Sequence, residues 1–127
     1  SIVEDNFKKF QSMPNVRLSI GYILQHSSVY TLQNVIEFAN ANDIKIWMSE
    51  VYDDSGYLGI NSVVSEDVDR AKSQLDYCTD EQKKTVQCWL DSYYFDAKLH
   101  QKYTEYVKTL DSIRGTDFVK TFNPSWT

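Results

Sequence analysis

Positive charge, glycine, proline and long apolar runs are all scarce in this chain of 127 residues, and each scarcity removes a class of function. Thirteen Lys and Arg stand against eighteen Asp and Glu, giving a net charge of −5, and the longest basic run is the Lys83-Lys84 pair. A phosphate backbone is held by clustered cations, so no nucleic-acid partner is expected. Apolar stretches such as 44–51, which contains Lys45 and Ser49, are far shorter than the roughly 20 residues of a membrane helix. No membrane partner is expected either. Four glycines and two prolines leave no flexible linker, and there is no internal repeat or low-complexity tract. Only Cys78 and Cys88 carry thiols, and these 127 residues contain no signal-peptide pattern, so two reduced cysteines and a cytoplasmic location are expected.

What is present is packing material. Residues are 42% hydrophobic and 14% aromatic, enough for one core and one domain over 1–127. Residues 2–12 place Ile2, Val3, Phe7 and Phe10 at helical spacing until Pro14-Asn15 ends the pattern. A chain opening on Ser1 with a helix already under way is expected to be part of a longer protein. A strand follows over 16–24. Ser27 and Ser28 then offer caps to a helix whose inner face is Val29, Leu32, Val35, Ile36 and Ala39. A second strand is expected over 44–52, so 16–52 reads as a βαβ unit with parallel strands.

Asp53-Asp54-Ser55-Gly56 is turn chemistry, and a loop is favoured over a returning strand through Tyr57, Leu58 and Ile60. The second half, 65–127, is helical. Ser65 is expected to cap one helix, and Thr79-Asp80-Glu81-Gln82 is a capping box for the next. Apolar positions from Val86 to Ile113 imply one long helix or two in succession, stopped by Gly115 with Arg114 in the last turn. The expected fold class is thus α/β, a partial barrel-like βαβ unit over 1–64 with two or more C-terminal helices packed on a small sheet.

Two parallel strands alone leave both edges unpaired, and parallel sheets ordinarily have both faces covered. Missing strands of a larger barrel, or a second copy in a homodimer, are the expected partners.

The strand, turn, helix and strand of Val16 to Ile60, running into Tyr57-Leu58-Gly59-Ile60, resemble the last βαβ portion of the barrel in radical S-adenosylmethionine proteins. The resemblance is to the twitch-domain-containing group of phage and marine metagenomes. The end of the chain is similar to that group's closing pattern, with Leu110-Asp111, Arg114-Gly115 and Pro124. The resemblance implies the C-terminal portion of a larger protein, completing its barrel and bounding its substrate cavity. The group's three-cysteine C-x3-C-x2-C motif is absent, so neither a cluster nor any other cofactor is expected in this chain, and no catalytic residue is carried over.

Ligands of parallel sheets lie beyond the C-terminal strand ends, which places Gln25, His26, Glu50, Asp53 and Asp54 on one candidate rim. The plainer expectation is a solvated loop at His26 and a turn at the acids. His26, Glu50 and Asp53 have the chemistry of metal ligands but no recognised spacing. His26 and Ser27 with an acid match a hydrolase triad in composition only, without a G-x-S-x-G elbow. His100 is expected in or beside the core, Cys78 and Cys88 as buried small hydrophobes, and Trp89, Tyr93, Tyr94, Phe95, Tyr103 and Tyr106 as core aromatics. Asp111 and Arg114 are expected to pair on the surface.

Overall fold

The computed structural model describes residues 1–126. Ser1 opens α1 (Ile2–Gln11) by accepting a hydrogen bond from the Glu4 amide. None of its residues is buried, and Ile2 remains 80% exposed. Its apolar face touches the rest of the chain at one aromatic contact, Phe7 edge-on to Phe38 at 5.8 Å.

The strands are shorter than the pattern implied. β1 (Ser19–Leu24) and β2 (Lys45–Glu50) pair in parallel, with Ser19 opposite Lys45 and Leu24 opposite Glu50. Between them runs α2 (Ser28–Ala41), burying Leu32, Ile36 and Ala39. The alternation along each strand decides what faces the helices: Tyr22, Leu24, Ile46 and Met48 join the core, while Gly21, Ile23, Trp47 and Ser49 face outward and are exposed. Among the described residues the sheet has these two strands only.

The acidic stretch after β2 is a loop, as favoured, ending in a 3₁₀ turn at Ile60–Ser62. Three helices follow: α3 (Ser65–Ser73), α4 (Asp80–Asp91) and α5 (Ala97–Arg114). Ser65 is the first helical residue rather than the cap, because extended Val64 occupies that position. Thr79 and Gln82 form the full capping box. The long apolar pattern is two helices, since Asp96 stops continuation by accepting from the Lys98 and Leu99 amides and restarting the chain as α5. Gly115 ends α5 in the left-handed region at φ 65°, a conformation that costs a residue with a β-carbon about 1 kcal/mol or more. A short α6 (Phe118–Phe122) closes the fold.

The main core joins β1, α2, α3 and α4 through residues such as Leu24, Ile36, Val63, Val68, Val86 and Leu90. A second cluster gathers Tyr103, Val107 and Phe118 under Tyr30, Phe122 and Trp126. Two expectations about packing fail. Tyr94 and Phe95, 64% and 46% exposed, sit in the break between α4 and α5 rather than in a helix face. Cys88 is exposed on α4 and Cys78 only half-buried, so neither is a buried hydrophobe. No helix among the described residues is long and apolar enough to cross a membrane.

Candidate functional site

β1 ends at Leu24, and the chain turns at Gln25 and His26 before α2 begins. The turn is tightly tied: Ser28 Oγ accepts from the Gln25 amide at 3.0 Å and donates to the Ile23 carbonyl at 2.8 Å. Ser28 therefore closes the turn rather than capping the helix, and Ser27, the residue in the cap position, makes no side-chain capping bond. The His26 amide donates to the Leu58 carbonyl at 2.7 Å, pulling the loop after β2 over the turn.

This places His26 where sequence reasoning did not. Its side chain is fully buried, not solvated. The imidazole stacks on Tyr103 of α5 with ring centroids 3.5 Å apart and planes 9° apart, and Phe118 of α6 stands edge-on at 6.1 Å. Nδ1 lies 2.6 Å from Ser62 Oγ. That hydroxyl donates its one proton to the Gly59 carbonyl at 2.7 Å, so it accepts from His26, and the hydrogen bonds assign the proton to Nδ1. Nε2 is left as a bare lone pair, buried and without a partner among the described residues.

Burial, with a smaller repulsion from His100, lowers the His26 pKa from 6.5 to about 3. A base so weak takes up protons poorly at neutral pH, whereas its lone pair still accepts hydrogen bonds. Ser62 is fully buried with its hydroxyl committed, so it is not presented as a nucleophile. The composition match of His26 with Ser27 fails as well, because the serine on the imidazole is Ser62.

His100, half-buried on α5, donates from Nδ1 to the Ser62 carbonyl at 2.9 Å and meets the Trp126 ring edge-on. Beside these rings lies a buried carboxylate. Asp67 of α3 accepts from the Tyr30 hydroxyl at 2.6 Å and from the Ser125 amide at 3.3 Å, with Arg70 at 3.8 Å. Burial first, and then Asp67, pushes the Tyr30 hydroxyl well above its usual range, and burial does the same to Tyr103. Asp67 thereby fastens the end of the chain over the aromatic cluster.

A cleft of about 400 Å³ opens at this end of β1. Gln25, His26 and Ser27 line it together with Tyr103 and Arg114 of α5 and Phe118 of α6. The expected pair between Asp111 and Arg114 does not form. Asp111 instead accepts from Thr116 Oγ at 2.7 Å and from the Phe118 amide at 3.0 Å, bracing the link from α5 to α6. Arg114 has no ion-pair partner among the described residues.

Of the five rim residues read from the sequence, Gln25 and His26 share this cleft and the three acids do not. Glu50 is exposed at the end of β2, on a separate groove beside Lys84 and Thr85 of α4. Asp53 folds back on its own turn, accepting from Ser55 and from the Leu58 amide, and these hydrogen bonds hold its carboxyl below the usual range. Asp54 is exposed beside it. Among the described residues no group of three His, Cys, Asp or Glu side chains is placed to hold a metal ion, so His26, Glu50 and Asp53 do not assemble one.

The sequence reading missed Ser62, Asp67 and the free Arg114. Asp67 had one available signal, its place next to Val68 on the helix face turned to the core. Compared with protein-family models, with curated proteins and with solved structures, the chain finds no match in any of the three.

Proposed function

We propose that this chain is a non-catalytic α/β segment whose parallel strands are extended by strands from outside it. That is the role implied by the resemblance to the C-terminal portion of a radical S-adenosylmethionine-type barrel, where such a segment would complete the wall and bound the cavity. The observation that carries the reading is the one-sidedness of the sheet. Helices cover Tyr22, Leu24, Ile46 and Met48, while the opposite face shows Ile23 and Trp47, 52% and 59% exposed. A parallel pair ordinarily has both faces covered and both edges paired. Gly21 adds to this. It sits mid-strand opposite Trp47, and a β-carbon there would meet nothing within 4 Å. A strand glycine is costly unless another backbone approaches closely, and nothing within the described residues does so.

The test compares the isolated chain with the longer protein encoded in the same reading frame. Expected is slow amide exchange over 19–24 and 45–50 and a shielded Trp47 in the longer protein, against fast exchange and a quenchable Trp47 in the isolated chain. Equal exchange and quenching in both would overturn the reading.

A stand-alone module that dimerises is the second reading, favoured by the chain's own closed core, in which Ile36, Val63, Val68, Val86 and Leu90 have no exposed surface. It predicts a dimeric mass for the isolated chain, and loss of that dimer in Gly21→Val, whose side chain would stand where the second sheet packs.

A further inference from the structure

We propose that the cleft at the C-terminal end of β1 is a binding site for a small uncharged aromatic molecule that carries one N–H or O–H donor, accepted by His26 Nε2. This inference is independent of how the sheet is completed. Four observations meet at the cleft. Its volume, about 400 Å³, falls within the range of small-molecule sites. It lies beyond the carboxyl end of a parallel strand, where open α/β sheets place their ligands.

The third observation is the imidazole. Nδ1 is turned to Ser62, which does not line the cleft, while Tyr103 and Phe118, the rings that bound His26, both do. The edge opposite Nδ1 is the unpartnered one. A buried acceptor left empty costs about 1–3 kcal/mol, and a ligand donor would relieve that cost. Because hydrogen bonding and burial keep Nδ1 protonated and Nε2 bare at neutral pH, the site accepts and does not donate. Donor-bearing rings are therefore selected over rings without a donor.

The fourth observation is the charge around the rim. Arg114 is opposed by Asp111 and Asp117, which line the same cleft, while their carboxylates also brace backbone amides. One arginine against two aspartates leaves the rim a net charge of −1, which disfavours an anionic ligand, and the inner walls are the Tyr103, Val107 and Phe118 side chains. An apolar ring body is what such walls cover best. Nε2 has no accessible surface as the chain stands, so a donor reaches it only when a side chain of the cleft wall shifts.

Phenol and fluorobenzene, rings of nearly equal size with and without a donor, are the probes. Titrated into the full chain labelled with ¹⁵N, phenol is expected to shift the His26 Nε2 resonance and the Phe118 amide. It should bind about tenfold more tightly than fluorobenzene, the range of one hydrogen bond to a buried acceptor. Benzoate should bind no better than fluorobenzene. In His26→Phe the preference for phenol should vanish. If that variant does not fold, the wild-type Nε2 shift decides alone. No phenol-induced shift at His26, or equal binding of phenol and fluorobenzene by the wild type, would overturn the proposal.

Discussion

Acid should weaken this fold well above the pH at which its carboxylates titrate, and His26 is the reason. In the folded chain its pKa is about 3, while in the unfolded chain it returns to 6.5. The sign follows from proton counting. Between those values the unfolded state binds a proton that the folded state refuses, so stability falls as pH falls. The stabilisation is complete above about pH 6.5, is lost progressively below it, and stops declining near pH 3. At pH 5 the difference is 1.5 pH units below 6.5, worth about 2 kcal/mol. For a chain of this size that moves a urea midpoint down by roughly 1 M.

The assay is urea unfolding followed by tryptophan fluorescence at pH 7.5 and 5.0, in the wild type and in His26→Phe. The difference between the two pH dependences is the part that requires the His26 imidazole. In parallel, the carbon-bound imidazole protons of His26 should stay flat in an NMR titration down to pH 5, a readout that does not need the variant to fold. A folded-state titration of His26 near pH 6.5, or equal pH dependences in the two proteins, would refute the reasoning.

Asp67→Asn should cost about 2 kcal/mol, because the Tyr30 hydroxyl and the Ser125 amide lose a charged acceptor inside the fold; amide exchange should quicken over 118–126 and stay unchanged in α4, and a uniform increase along the chain would contradict the strap role. Gly115→Ala meets no atom within 4 Å, so its cost is that of φ 65° alone, about 1 kcal/mol. A fall in Tm far larger than that cost implies would show that the α5 terminus does more than turn the chain. Thr79→Ala removes the cap bond to the Gln82 amide and should cost about 1 kcal/mol in chemical unfolding, with no change there if α4 is held by packing alone.

The mixed α/β arrangement was legible because local rules and tertiary structure agree over most of the chain. The inner face of α2, the capping box at Thr79 and the glycine stop at Gly115 are each written within a few residues of where they act. Periodicity did less well where it had no boundary to read. From Val86 to Ile113 the apolar spacing continues across 92–96, and only the side chain of Asp96, bonded to two amides ahead of it, marks the division into α4 and α5. The apolar face of α1 is a different kind of failure. Its spacing predicted a helix correctly, and a helix with nothing buried is what results, because amphipathicity states that a face can be covered and not what covers it.

The site was less legible for a reason of sequence distance. A polar residue just after a strand reads as solvated, and apart from Tyr30 the rings and the hydroxyl around His26 come from far along the chain: Ser62 36 residues on, Tyr103 and Phe118 further still. None of those residues carries a local sign of the contact. The three acids failed in the opposite direction. They follow a strand as ligands often do, yet Asp53 finds its hydrogen bonds within five residues, at Ser55 and Leu58, and is held in its own turn. A side chain that can satisfy itself locally is a poor candidate for a site assembled from distant segments, and one that cannot, like the His26 imidazole, is driven to find partners there. Asp67 is met largely from outside its helix: beside Arg70 one turn on, it accepts from Tyr30 and Ser125, 37 and 58 residues away in sequence. Buried polar groups without local partners therefore mark the ground where this fold joins its two halves, and His26 Nε2, alone among the imidazole nitrogens in being buried and unpartnered, marks where that joining is incomplete.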